Sequence, residues 1–122
     1  MNKESLISKI REEVLDSMVG FMESYIEDGE EPPYTREDID SCEEILTDYV
    51  SALALLPHPD DEKIMDAVKE AVLRLNELNE ETDYCLIETE ERENIALFIQ
   101  ECAELCGLND IPEDVTEEWR DW

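Results

Sequence analysis

Hydrophobic residues recur every three or four positions along most of this chain, which is the spacing of amphipathic helices. The first such segment extends from Lys3 to Asp28. Its predicted apolar face consists of Leu6, Ile7, Ile10, Val14, Met18, Phe21, Tyr25 and Ile26, widened by Leu15, Val19 and Met22. We expect this helix to end in segment 28–33, because glycine accepts a left-handed cap and proline cannot continue a helix.

A second helix is predicted from Thr35, its expected N-cap, to Leu56. Acidic residues in its first turn suit the positive end of the helix dipole. The residues that we expect to be buried are Ile39, Cys42, Ile45, Leu46, Tyr49, Val50, Leu53 and Leu56. The Pro-His-Pro sequence at 57–59 ends this helix, because proline removes a hydrogen-bond donor.

Apolar spacing and capping residues predict two more helices. Asp60 or Asp61 caps a third helix that reaches about Leu78, and its inward residues are Ile64, Met65, Val68, Ala71, Val72 and Leu75. Thr89 is the expected N-cap of a fourth helix that continues to Cys106. Its apolar positions nearly encircle it towards the end, namely Ile95, Leu97, Phe98, Ile99, Cys102, Leu105 and Cys106.

The remaining segments are short. Residues 84–87 form an apolar piece that fits either a strand or an irregular loop. Thr116 begins a last helical turn at 117–122. We therefore predict an all-α fold for residues 1–122, a single-domain bundle of four main helices plus a short C-terminal helical turn.

The charge of the chain narrows the class of partner. There are 36 acidic and 9 basic residues, which give a formal net charge of −27. Such a charge repels nucleic acid and anionic membranes and attracts cations and basic proteins. We expect a basic protein partner, and no direct binding to nucleic acid or membrane.

The sequence also predicts a cytoplasmic location. No segment approaches the roughly 20 apolar residues that a helix needs to cross a bilayer. Residues 1–8 lack the basic start and the apolar run of a secretion signal. The four cysteines are then expected to be reduced thiols, and no cofactor is predicted.

One line of carboxylates stands out on the second helix. Glu37, Asp40, Glu44 and Asp48 fall opposite its apolar face, about 4.5 to 6 Å apart along the axis. A row of carboxylates at this spacing roughly imitates a row of phosphates. We interpret it as a candidate surface for a basic partner, and a solvated helix face is the alternative.

The C-terminus offers a second candidate contact. Trp119 and Trp122 are three residues apart, so both rings lie on one side of a short helix. They either fold back onto the bundle and anchor the tail, or form an exposed aromatic anchor for a partner. Arg120 between them is expected to pair with a neighbouring carboxylate.

Several patterns raise the question of a metal site. The sequence His-Pro-Asp-Asp-Glu at 58–62 resembles the motif of the zinc-dependent LmbE-like N-acetylglucosaminyl deacetylases, in which a second, distant histidine also binds zinc. This chain has one histidine, and the alternative is a helix–helix turn. Cys102 and Cys106 share a helix face and would ligate a soft metal with Cys85 or Cys42, or else pack in the core.

Pairs of acidic residues three apart, such as Glu101 and Glu104, resemble the magnesium-binding pairs of the all-α MazG-like nucleotide pyrophosphohydrolases. Glu43, Glu70, Asp66 and Glu101 are conceivable ligands in such an enzyme. Such pairs also arise by chance in a chain this acidic. No nucleophile, base and orienting group come together, and no glycine-rich phosphate loop occurs. We predict a non-enzymatic binding module, with a divalent-metal-dependent hydrolase or a structural protein as alternatives and no assigned catalytic residue or metal ligand.

Overall fold

Helices dominate the parts of the chain that the computed structural model describes, residues 3–56, 60–109 and 112–122. The first helix consists of three consecutive pieces, and the helices in chain order are Lys3–Lys9, Ile10–Leu15 and Asp16–Glu27 (first), Arg36–Ala54 (second), Asp61–Glu81 (third) and Thr89–Cys106 (fourth). These ranges contain no strand. The prediction of an all-α bundle with four main helices is confirmed.

The first helix differs from the prediction in its middle, where Ile10–Leu15 winds as a π-helix. The sequence pattern supplies a physical reason. The buried residues recur every four positions, at Leu6, Ile10, Val14, Met18 and Met22. In an α-helix with 3.6 residues per turn, each such step drifts by about 40° around the axis. The wider π turn winds less per residue and so returns these side chains to one face.

The helix caps were largely predictable. Thr35 caps the second helix in a capping box: its hydroxyl accepts from the Asp38 amide at 3.4 Å, and its own amide donates to the Asp38 carboxylate at 2.9 Å. Asp60 caps the third helix by accepting from the Lys63 amide at 2.9 Å. The N-cap predicted for the fourth helix was wrong by one residue, because Glu88 holds that position.

The buried side chains of all four helices form one hydrophobic core. The second and third helices make the most extensive contact, and the π-helical piece of the first helix packs against the second and fourth. Some predicted core residues lie at its margin instead. Ile26 is exposed, and Leu97 and Leu105 are each 58% exposed on the fourth helix. None of the helices in the described ranges is long and apolar enough to span a bilayer.

The connection between the third and fourth helices is an irregular loop, which decides between the two alternatives for residues 84–87. Leu86 and Ile87 are buried. The buried side chain of Asn79, near the end of the third helix, accepts from the Ile87 amide at 3.0 Å. This contact fixes the loop against the bundle.

Candidate functional site

A concave surface lies between the second and third helices. We call it the α2–α3 groove, where α2 is Arg36–Ala54 and α3 is Asp61–Glu81. It consists of two adjoining cavities of about 320 and 220 Å³ that share Ile45 and Arg74. Small side chains leave the larger cavity open, since Ser51, Ala52, Ala67 and Ala71 line it. Leu55 lies at this cavity and is 81% exposed.

The charges that line this groove are almost all negative. Glu44 and Asp48 come from the second helix. The third helix supplies Glu70, Glu77 and Glu81 together with Arg74, which is the single cation among the described lining residues. Five carboxylates and one guanidinium give these lining side chains a net charge of −4.

The guanidinium is held at the centre of the groove. Nη1 of Arg74 donates to Oδ2 of Asp48 at 2.9 Å. The two side chains remain 36% and 55% exposed. An ion pair with this much solvent around it contributes between nothing and about 1 kcal/mol to stability.

The predicted carboxylate stripe is therefore divided between two surroundings. Glu44 and Asp48 line the groove, whereas Glu37 and Asp40 are exposed outside its lining. Asp40 pairs with Arg36 one turn earlier, at 3.3 Å. The half of the stripe that faces the third helix belongs to a concave surface and not to a projecting row.

The tryptophans do not form an exposed anchor. Trp122 is 9% exposed in the core, and Trp119 packs against the core. The third helix holds this tail through Asn76, whose side-chain Nδ2 donates to the Trp119 carbonyl at 2.9 Å. The predicted last turn is also shorter than 117–122, since its last backbone hydrogen bond joins the Arg120 amide to the Thr116 carbonyl at 3.0 Å.

Arg120 has the carboxylate partner that the sequence analysis expected. Its Nε lies 3.2 Å from Oδ2 of Asp114. Oδ1 of Asp114 accepts from the hydroxyl and the amide of Thr116, at 2.6 and 2.9 Å. These hydrogen bonds and the nearby guanidinium lower the pKa of Asp114 against the opposing effect of burial.

A second group of carboxylates was not found from the sequence. Glu13, in the π-helical piece, lies beside Glu101 of the fourth helix, close enough for a hydrogen bond once either group is protonated. Burial and the neighbouring Glu101 raise the pKa of Glu13, although Lys9 opposes this. No spacing in the sequence signals this pair, because Glu13 and Glu101 lie far apart in the chain.

The structure separates the conceivable metal ligands. Glu70 lines the α2–α3 groove, whereas Glu43 lines a different cavity beside Arg11 of the first helix. Throughout 3–56, 60–109 and 112–122, no group of three or more His, Cys, Asp or Glu side chains is arranged to hold a metal ion. His58 and Pro59 of the motif at 58–62 lie outside the described residues, as does Pro57 before it.

The cysteines are free thiols in different surroundings. Cys42 and Cys102 are fully buried, and burial raises the pKa of each to about 12. Cys106 is half-buried, with its sulfur 3.9 Å from the Leu53 carbonyl. Core packing accounts for these three side chains.

Comparisons with known proteins give no relative from which a role of the groove could be inferred. No protein-family model, no curated protein and no solved structure matches this chain.

Proposed function

We propose that this protein is a cytoplasmic, non-enzymatic binding module that engages a basic protein through the α2–α3 groove and the carboxylates beside it. The observation that carries the proposal is the charge of the groove lining, with five carboxylates around one guanidinium. A basic partner would replace repulsion between these carboxylates by attraction to its own lysines and arginines.

The charge of the whole chain supports the same proposal. Nine basic side chains cannot neutralise 36 acidic ones, so a large excess of negative charge remains whatever pairs form. A field of this sign accelerates encounter with a positively charged protein and discriminates against polyanions.

Capture of partners with matched charge-reversal variants tests the proposal. The protein and two double variants, Glu44→Lys/Asp48→Lys and Glu117→Lys/Glu118→Lys, are immobilised and exposed to lysate of the native host. Both variants change the net charge equally, but only the first alters the groove. Bound proteins are eluted with increasing salt and identified by mass spectrometry.

The expected result is a basic protein that the wild type and the Glu117/Glu118 variant retain at about 0.15 M salt and the Glu44/Asp48 variant does not. If both variants lost the basic protein equally, the interaction would depend only on net charge, and a specific role of the α2–α3 groove would be contradicted. Retention of no basic protein, even at low salt, would overturn the proposed function. A stoichiometric heat of Mg²⁺ or Mn²⁺ binding in isothermal titration would favour the hydrolase alternative instead.

A further inference from the structure

The α2–α3 groove combines an apolar floor with acidic edges. Ile45, Ala52 and Ala71 contribute apolar surface to the larger cavity, and the carboxylates Asp48 and Glu70 stand beside it. A segment that fills this groove must therefore carry apolar side chains along one face and cations at the edges of that face. This pattern describes a basic amphipathic helix.

The shape of the groove also suits a helix. Two helices form its walls. The small side chains between them allow a helix of another protein to approach closely and place its ridges in the groove. Pairing with an extended peptide would need a free strand edge, and the described ranges contain no strand. From Ser41 to Leu55 the groove follows the second helix for about 21 Å, at 1.5 Å per residue.

Arg74 shows where a cation from the partner would bind. It occupies the centre of the groove, shared by both cavities, and donates to Asp48 at 2.9 Å. Because both side chains are partly exposed to solvent, the guanidinium can leave Asp48 without unfolding the bundle. Arg74 of this chain thus occupies the position to which an arginine of a partner would be attracted.

We infer that the α2–α3 groove receives a basic amphipathic helix of another protein, and that Arg74 competes with an arginine of that helix for Asp48. This inference rests on the proposed function and names the segment of the partner and its mode of docking. Leu55, which is 81% exposed at one end of the groove, supplies an apolar contact for the incoming helix.

The test uses a synthetic peptide of about 15 residues, long enough to cover the groove, with leucines on one helical face and arginines at its borders. A scrambled peptide of the same composition is the control. Affinities are measured by isothermal titration at about 0.15 M salt, and the bound surface is mapped by NMR shifts of backbone amides. We expect the amphipathic peptide to bind about tenfold more tightly than the scrambled one and to shift the Ala52 and Ala71 amides.

Variants at exposed or partly exposed positions distinguish binding in the groove from attraction to the general negative charge. Arg74→Met keeps the aliphatic stem and removes the competing cation, so we expect about fivefold tighter binding of the peptide. Leu55→Ala should weaken binding, whereas Leu105→Ala, which changes an exposed leucine on the fourth helix, should not. Glu70→Lys should weaken binding more than Glu117→Lys, although both change the net charge equally.

Three results would overturn the inference. Equal affinity for the two peptides, with equal effects of Glu70→Lys and Glu117→Lys, would show diffuse electrostatic attraction and would leave the proposed function standing. Groove amides that shift with protein concentration in the absence of peptide, together with a dimer in sedimentation, would identify a second copy of the chain as the occupant. No binding of either peptide at low salt would contradict both the groove and the proposed function.

Discussion

Replacement of the buried Asn79 by alanine should destabilise the protein more than any comparable change at its surface. Asn79 is 1% exposed, and its side-chain carbonyl accepts from the Ile87 amide at 3.0 Å. The alanine variant leaves that amide without a partner in a buried position. A buried donor that loses its acceptor costs about 1 to 3 kcal/mol.

The loop that Asn79 holds adds to this cost. Asp83 and Tyr84 both have left-handed backbone conformations, with φ of 55° and 62°. Residues other than glycine adopt this region at a cost of roughly 1 kcal/mol each, which persists only where surrounding contacts enforce it. Because the Asn79 side chain is one of these contacts, we expect the free energy of unfolding to fall by about 2 kcal/mol, or about 8 °C in melting temperature for a chain of this size.

Urea unfolding followed by the helical circular-dichroism signal measures this change. The matched control is Asn76→Ala, since Asn76 lies one turn earlier on the same helix and bonds the C-terminal tail at 2.9 and 3.1 Å. Its partner Asp121 is exposed, so water can replace that bond and the expected loss is about 1 kcal/mol. A loss below about 0.5 kcal/mol for Asn79→Ala, or one no greater than that of the control, would refute this account of the loop.

Three further predictions concern pH and thiol reactivity. The folded state raises the pKa of Glu13 above 4.5, so folding favours the protonated form of this carboxyl. Its contribution to stability is complete below about pH 4.5 and is lost as the pH rises through the raised pKa. Glu13→Gln should therefore stabilise the protein at neutral pH and flatten this part of the pH profile of urea midpoints. For Asp114 the pKa shift has the opposite sign, because the folded state lowers its pKa below 3.8. Asp114→Asn should therefore lower the urea midpoint near neutral pH, and the difference from the wild type should shrink as the pH falls through the lowered pKa. In native protein, a thiol reagent followed by peptide mapping should label the half-buried Cys85 first and reach Cys42 only on unfolding, and early labelling of Cys42 would contradict its burial.

The helices were predictable because their signals are local. Thr35 and its Asp38 partner lie within one turn, and apolar spacing reports directly on which face of a helix is buried. The exposure of Leu97 and Leu105 was not predictable in this way. The fourth helix is apolar nearly all round only towards its end, and there only the neighbouring elements decide which of these positions are covered.

The π-helical piece shows how local and tertiary information combine. The four-residue spacing was visible in the sequence, but an α-helix with a drifting stripe also satisfies it. Packing of this piece against both the second and the fourth helices favours one continuous face and therefore the wider turn. The same packing brings Glu13 beside Glu101, residues far apart in the chain, which no periodicity could reveal.

The candidate site follows the same division between local and distant information. Helical spacing aligned Glu44 with Asp48 on the second helix, and both do lie on one surface. Whether such a line projects or borders a groove depends on the neighbouring helix, and the third helix adds Glu70, Glu77 and Arg74. A projecting row would enter a partner's cavity, whereas a groove receives the partner's side chains. The position of the third helix therefore changes the expected partner from a protein with a basic cleft to one with a basic, protruding helix.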